Sequence, residues 1–422
     1  MTPHALRSAP FAKLPEPMRF CFPTTFYPPY SFGGDAIAVQ RLARALVRRG
    51  HEVTVVHDAD AYEALRNGST GQPAAALSND GVEVITLRSG VGGLSPLLTH
   101  QTAYPIVNRS RLKEILGDGR FDVINYHNVS LLGGPGLFAM GKGAAKVYTA
   151  HEHWLVCPTH VLWRHNREPC DNRQCVRCQI VYRRPPQLWR HGSILQESLE
   201  HIHRFVALSE FSREKHREFG FPREMSVLPP FVEDDDLATE TAPRPHARPY
   251  FLIVGRLERL KGVHDAIAAF AQYEDADLLI AGEGNAESEL RAAAATNPRC
   301  IFLGKLSPET LRDYYRHAVA TVVPSVGFET FGLVIVESFR ERTPVIGRRI
   351  GPFPETIQSS GGGELFETAS EMVQSARRIQ SDPAYRRRLG DAGYAAYRER
   401  WSESKVVPRY LELVADARKA RK

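Results

Sequence analysis

The feature that most constrains the fold of this chain is a repeated alternation of short apolar runs with amphipathic helical patterns. In the first half the clearest helical pattern is 36–49, and the strand patterns are 19–22, 52–57, 82–87, 122–126, 146–150 and 205–208. Strands and helices that alternate at this spacing form βαβ units, whose strands are parallel. The sequence therefore predicts an α/β fold built on doubly wound parallel sheets.

The alternation is interrupted once, by a proline-containing stretch at 237–249, and begins again at residue 250. In this second half the strand patterns are 250–254, 277–281, 301–303 and 320–323, and the helical patterns are 264–272, 286–296, 308–317 and 331–340. A length of 422 residues also exceeds one ordinary domain of about 100–200 residues. We predict two Rossmann-like domains that face each other across a cleft, which is where such folds bind ligands. The predicted parts are a disordered tail at 1–17, an N-terminal domain at 18–236, a linker at 237–249, a C-terminal domain at 250–395, and a C-terminal helix at 396–422 that returns to the first domain.

Composition excludes two classes of protein. With 43% hydrophobic and 24% charged residues, the chain has the balance of a globular protein rather than a disordered one. No apolar run approaches the ~20 residues that span a bilayer, and the N-terminus lacks the apolar core of a signal peptide. We therefore expect a cytoplasmic protein. The net charge of +6 fits anionic partners without separating phosphorylated small molecules, membrane surfaces and nucleic acids.

The strongest motif is Gly-Phe-Glu-Thr-Phe-Gly-Leu-Val-Ile-Val-Glu at 327–337. Free backbone N–H groups near Gly332, at a loop-to-helix junction, can hold an anion such as a diphosphate. Glu337, further along the helix, could accept hydrogen bonds from a ribose, and Glu329 could accept them from a sugar. The alternative is a pair of surface carboxylates that the positive end of the helix dipole stabilises.

Further motifs follow the predicted strands at the edge where open α/β sheets bind ligands. Gly-Arg-Leu-Glu-Arg-Leu-Lys-Gly at 255–262 offers Arg256 and Lys261, which could stabilise negative charge on a departing phosphate. The alternative for both is a surface ion pair. The paired glycines Gly33 and Gly34 precede the first helix and allow close backbone approach to a phosphate. His151 ends a strand.

This ordered set of motifs resembles the retaining glycosyltransferases of family 4, which have the two-Rossmann GT-B architecture. The resemblance runs from about Arg19 to Trp401. It implies that Glu329 contacts the donor sugar, that Glu337 contacts the nucleotide ribose, and that His151 lies near the reacting carbon. The implied catalytic residues are His151 and Glu329, and the implied donor-binding residues are Gly33, Gly34, Arg256, Lys261, Phe331, Gly332, Leu333 and Glu337.

The resemblance also implies a reaction. The donor is a UDP- or GDP-linked sugar, the acceptor is a glycan or a lipid-linked molecule in surface polysaccharide or glycoconjugate synthesis, and no cofactor or catalytic metal is needed. Asp58-Ala59-Asp60 and the run 234–236 have the pattern of a cation-binding pair, but they lie far from the donor motifs, so we interpret them as structural. We expect no nucleic-acid partner. A non-catalytic subunit that binds nucleotide sugar, a GT-B epimerase and a phosphorylase-like enzyme remain alternatives.

A cysteine-rich insert at 152–200 follows His151. Its cysteines, at 157, 170, 175 and 178, fit a structural zinc site made of four thiolates, with His153, His160 and His165 as competing ligands. Unrelated thiols and an iron–sulfur cluster are the alternatives, and the resemblance extends to a subset of the family that carries a similar insert. The insert also places aromatic and aliphatic residues beside arginines, which fits either peripheral association with the cytoplasmic membrane face or a solvated helix face.

Overall fold

A computed structural model of the protein describes residues 16–66, 80–234 and 243–421. Nearly all of the predicted disordered tail, the first part of the predicted linker, and Asp235 and Asp236 lie outside these described residues. Two parallel sheets with helices on both faces make up the described chain, so the predicted α/β fold class is confirmed.

The first sheet has seven parallel strands in the order β3-β2-β1-β4-β5-β8-β9. The inner strands are buried along almost their whole length, as expected where helices cover both faces of a sheet. The strands are β1 (Arg19–Pro23), β2 (Glu52–Asp58), β3 (Glu83–Leu87), β4 (Val123–Tyr126), β5 (Ala145–Ala150), β8 (Arg204–Ala207) and β9 (Met225–Val227). A separate antiparallel pair, β6 (Trp163–Arg164) and β7 (Glu168–Pro169), lies in the cysteine-rich insert.

The second sheet has six parallel strands in the order β12-β11-β10-β13-β14-β15. Its strands are β10 (Tyr250–Val254), β11 (Asp277–Ala281), β12 (Cys300–Gly304), β13 (Ala320–Val323), β14 (Val345–Arg348) and β15 (Gly363–Phe366). In both sheets the order reverses beside the first strand, which opens a crevice at the carboxyl ends of the strands.

The helices that surround the first sheet are α1 (Gly34–Val47), α2 (Ala59–Leu65), α3 (Leu94–Thr102), α4 (Arg109–Ile115), α5 (Cys175–Val181), α6 (Ile194–Leu199) and α7 (Glu210–Glu218). Those that follow are α8 (Val263–Ala269), α9 (Glu287–Ala293), α10 (Pro308–His317), α11 (Leu333–Arg340), α12 (Ala369–Ser381), α13 (Pro383–Ala396) and α14 (Glu403–Ala420). Within the described ranges no helix combines the length and apolar character needed to span a bilayer.

The last helix lies on the first sheet. Val407, Tyr410 and Val414 of α14 are buried in the same apolar cluster as Phe20 and Phe22 of β1. The hydroxyl of Tyr410 accepts a hydrogen bond of 3.1 Å from the side-chain amide of Asn125 in β4. The chain therefore crosses back from the second domain to the first before it ends. The C-terminal helix predicted at 396–422 begins later than expected, because Ser402 is extended and α14 begins at Glu403.

Candidate active site

The two domains meet where α1 begins beside the loops of the second sheet. A Cβ atom added to Gly33 would lie 3.5 Å from the Nε atom of Arg256, and one added to Gly34 would lie 4.0 Å from a methyl carbon of Leu333. α1 begins at Gly34, so the unpaired N–H groups of its first turn lie near the Arg256 side chain. The structure thus brings two glycines of the first domain together with a cation and an apolar side chain of the second.

The loop before α11 takes its shape from glycine. Gly332 has a φ of +105°, and a Cβ atom there would lie 2.8 Å from the ring of Phe353. A residue with a side chain would therefore be strained and would also displace that ring. Since Gly332 is not helical, α11 begins at Leu333, two residues later than the helical pattern indicates. Phe331, just before it, is buried.

Glu329 is held by two donors. The ammonium of Lys261 donates to its Oε1 atom at 2.8 Å, and the Ser325 hydroxyl donates to the same atom at 2.6 Å. Burial by itself would raise the pKa of Glu329, but the charge and hydrogen bond of Lys261, together with Ser325, outweigh it and leave the pKa below its ordinary value. The carboxylate is therefore ionised and fixed. The structure brings Lys261 and Glu329 into one ion pair.

Glu337 is held from the opposite domain. Its Oε1 atom accepts a hydrogen bond of 2.8 Å from Arg41 of α1, and its Oε2 atom accepts one of 3.2 Å from the Tyr315 hydroxyl. Arg41 also lies 3.0 Å from Glu233, and its side chain is only 10% exposed. The Nη1 atom of Arg41 has no hydrogen-bond partner among the described residues. A buried cation of the first domain therefore joins two carboxylates at the cleft.

His151 is paired with a second histidine. Its Nε2 atom lies 2.9 Å from the Nδ1 atom of His127, which follows β4 directly. Burial lowers the pKa of both rings, and for His151 the nearby carboxylates of Asp35 and Glu152 oppose the effect. Two neutral imidazoles at this distance form a hydrogen bond in which one ring nitrogen donates a proton and the other accepts it. The tautomer of one ring therefore fixes that of the other.

Thr330 connects the two predicted catalytic residues. Its hydroxyl donates to the backbone carbonyl of His151 at 2.9 Å, and its own carbonyl accepts a hydrogen bond of 2.6 Å from the Ser209 hydroxyl. Thr330 is also the next residue after Glu329. A direct contact between the domains therefore places the backbone of His151 beside the loop that carries Glu329.

Comparisons with known proteins identify the family. The model of Glycosyltransferase Family 4 matches residues 32–236, and that of Glycosyl transferases group 1 matches residues 235–396. The chain belongs to the family 4 glycosyltransferases.

Individual relatives are distant but cover nearly the whole chain. A D-inositol 3-phosphate glycosyltransferase of Pseudarthrobacter chlorophenolicus is 28% identical over 89% of each chain. A phosphatidyl-myo-inositol mannosyltransferase of Mycolicibacterium smegmatis is 26% identical over 92% of this chain and 93% of its own.

Solved structures support the fold. Sucrose-phosphate synthase of Thermosynechococcus elongatus superposes with a TM-score of 0.65 at 20% identity, covering 96% of this chain and 100% of that one. Anabaena HepE in complex with UDP superposes with a TM-score of 0.63 at 16% identity, covering 94% of this chain and 100% of that one. The family 4 glycosyltransferase described here has the GT-B architecture that the resemblance implied.

Several residues at the cleft of this glycosyltransferase were not anticipated from its sequence. They are Asp35, Arg41, His127, Ser325 and Thr330. His127 had a usable signal, because it directly follows a buried strand at the ligand-binding edge of a parallel sheet. Arg41 had none, since an arginine within an amphipathic helix resembles any solvated helix residue.

The predicted zinc site is not supported. The four cysteines, Cys157, Cys170, Cys175 and Cys178, are free thiols that line one cavity of the insert. However, no group of three or more His, Cys, Asp or Glu side chains in the described parts of the chain is arranged to hold a metal ion.

The sulfurs and the competing histidines make other contacts instead. Cys157 lies 3.3 Å from the Thr159 hydroxyl, and Cys170 donates to the Asn172 carbonyl at 3.3 Å. Burial and the neighbouring sulfurs raise the pKa of Cys170 to about 11. Two of the competing ligands are also engaged elsewhere. His160 pairs with Glu152, and His153 stacks on His216.

Proposed function

We propose that this chain is a cytoplasmic retaining glycosyltransferase that moves a sugar from a UDP- or GDP-linked donor to a glycan or lipid-linked acceptor, without a catalytic metal. The observation that carries the proposal is the convergence at one cleft of an ion pair and an arginine from one domain with a glycine and a histidine from the other. The Lys261–Glu329 pair and Arg256 come from the second domain, and Gly33 and His151 come from the first.

The arrangement supplies what such a reaction needs for its leaving group. A sugar–diphosphate bond breaks with negative charge building on the departing phosphate. Arg256 and Lys261 are cations that would stabilise this charge more in the transition state than in the ground state. The first-turn N–H groups of α1, beside Gly33, add a positive dipole end facing the same space.

Glu329 and His151 act on the sugar. Glu329 is ionised and held by Lys261 and Ser325, so it can accept hydrogen bonds from sugar hydroxyls in a fixed orientation. His151 is neutral, its Nε2 atom is engaged by His127 and its backbone carbonyl by Thr330, so its Nδ1 atom is the group proposed to orient the sugar.

The bond changes balance without a protein nucleophile. The bond between C1 of the sugar and the diphosphate oxygen breaks, and its electron pair goes to the diphosphate. The oxygen of an acceptor hydroxyl forms the new bond to C1 on the same face of the sugar, and its proton passes to the departing phosphate oxygen. The product keeps the configuration of the donor.

The test is incubation of the full chain with a panel of UDP- and GDP-linked sugars, with the released nucleotide measured in excess chelator. We expect slow release from one donor and retention of configuration at C1, read by NMR. Glu329→Gln should reduce release by about 10²–10³-fold, while Glu309→Gln, an exposed glutamate of the same domain, should not.

Other outcomes would favour the alternatives. Donor binding without nucleotide release in the presence of a broad acceptor panel would indicate a non-catalytic subunit. A free sugar with altered ring configuration would indicate an epimerase. Activity lost in chelator and restored by a divalent cation would contradict the metal-independent mechanism.

A further inference from the structure

The exposed large hydrophobic side chains of this protein are concentrated in two segments of the first domain. Segment 88–113 exposes six of them, including Leu94 and Leu97 of α3, and segment 172–196 exposes four, including Ile180 and Leu188. Across 16–66, 80–234 and 243–421, Leu65 at the end of α2 is the one other such residue. Apolar side chains clustered in this way mark a contact surface rather than ordinary solvent-facing protein.

The two segments form one surface. The indole N–H of Trp189 donates to the His100 carbonyl at 2.9 Å, which anchors the second segment to α3. The Gln187 backbone N–H donates to the Gln179 side chain at 2.9 Å and thereby holds the Leu188 region against α5. We refer to the exposed surface of residues 88–113 and 172–196 as the apolar face.

The charge of the apolar face is entirely of one sign. Segment 88–113 contains four Arg or Lys residues and segment 172–196 contains five, and neither segment contains an Asp or Glu. The whole chain, by contrast, has 54 basic and 48 acidic residues. Aliphatic side chains set among basic residues are typical of surfaces that lie on anionic bilayers.

The apolar face also reaches the cleft. Arg184, in its second segment, donates to the Thr159 carbonyl at 3.5 Å, and its charge acts on Glu152, the residue after His151. The side of the first domain that carries this face is therefore also the side near Glu152 and His151.

We propose that the apolar face docks on the surface of an anionic phospholipid bilayer. Ile180, Leu188 and the exposed leucines of α3 enter the headgroup region, while the arginines bind lipid phosphates. Delivery of a lipid-linked acceptor from the membrane to the cleft rests on the proposed function, but the docking itself does not.

The test is co-sedimentation of the full chain with vesicles of phosphatidylcholine alone or of phosphatidylcholine mixed with phosphatidylglycerol. We expect binding to the mixed vesicles that high salt weakens, and little binding to the neutral ones. Both Ile180→Ser with Leu188→Ser and Arg177→Gln with Arg183→Gln should weaken binding by about tenfold or more.

The matched control is Arg387→Gln with Arg388→Gln, which removes the same charge from exposed sites of the second domain and should leave binding unchanged. Unaltered binding of the two test pairs, or no binding by the parent chain, would overturn the proposal. Concentration-dependent self-association that Ile180→Ser with Leu188→Ser abolishes, without vesicle binding, would show that the face pairs with a second copy. A chain that docks but releases no nucleotide would keep the docking and refute the proposed reaction.

Discussion

The two domains have the same parallel topology but contribute to the cleft in different ways. The second domain supplies Arg256, Lys261, Ser325 and Glu329 from loops that each follow a strand directly. The first domain contributes through groups that are distant in the sequence, among them Arg41 within α1 and His127 after β4. One domain therefore presents a site that is contained in short motifs, and the other completes it through packing.

The histidines show the same difference. Burial lowers the pKa of His57, His100 and His216, all in the first domain, to about 4. Several titratable histidine rings therefore lie in the interior of the first domain. Its stability must depend on pH in a way that the second domain's need not.

The largest effect on activity should come from a residue of the second domain, whose site residues lie in short sequence motifs. Lys261→Met leaves Glu329 without its cation and removes a charge from the predicted phosphate position. We expect kcat to fall by about 10²–10³-fold, because such charges act mainly in the transition state. Nucleotide release is the measurement, and Lys305→Met, an exposed lysine of the same domain, is the control. Equal activity of the two variants would remove Lys261 from the site.

The contribution of the first domain is tested by Arg41→Met. This substitution leaves Glu337 and Glu233 without their shared cation at a partly buried position. Breaking such a pair costs about 3–5 kcal/mol of unfolding free energy. We expect this loss in chemical denaturation, together with weaker donor binding. Arg44→Met, on the same helix and facing the half-exposed Asp80, should cost about 1 kcal/mol or less. Similar losses for both variants would contradict a special role for Arg41.

Lowering the pH should destabilise the first domain more than the second. A buried histidine with a folded pKa near 4 binds fewer protons than it does in the unfolded chain, where its pKa is about 6.5. Its contribution to stability is therefore complete above pH 6.5 and is lost as the pH falls towards 4. We expect the unfolding free energy of the first domain to drop by about 2–5 kcal/mol between pH 7 and pH 5.

Hydrogen-exchange protection, read separately for peptides of each domain, measures this difference. His100→Gln should reduce the drop in the first domain by removing one of the three groups. An equal loss of protection in both domains would show that the buried histidines are not its cause.

The smallest effect concerns the contact between the halves. Thr330→Val keeps the shape of the side chain but removes the hydrogen bond to the His151 carbonyl. One hydrogen bond is worth about 0.5–1.5 kcal/mol, so we expect kcat/KM to fall by about two- to tenfold. Thr330→Ser should restore most of the activity. A serine variant as impaired as the valine variant would indicate that the methyl group, rather than the bond, is what matters.

Much of the fold was predictable because both sheets are regular. The strand at 320–323 and the helix at 308–317 match β13 and α10, and Ser307 and Pro308 give that helix a clear beginning. β14 and β15 were not predicted. Their short runs contain glycine or a charged residue and lack the long apolar pattern of the inner strands.

The cysteine-rich insert, by contrast, could not be predicted correctly from the sequence. Four cysteines within 22 residues indicated a metal site, but spacing along a chain does not fix where the sulfurs point. Folding brought them to one cavity and gave several of them hydrogen-bond partners of their own. The same insert carried a weaker signal, basic residues beside aliphatic ones, that became a defined surface only when α3 was packed beside it.

The sequence by itself determined the two parallel sheets and the family, and it predicted the donor-side residues, because each of these depends on local order along the chain. Strands followed by glycine-rich loops place their motifs at one sheet edge wherever they occur. Only the tertiary structure decided that Arg41 faces Glu337, that His127 fixes His151, and that two distant segments share one apolar face. Those pairings depend on which surfaces pack together, and packing is a property of the whole chain.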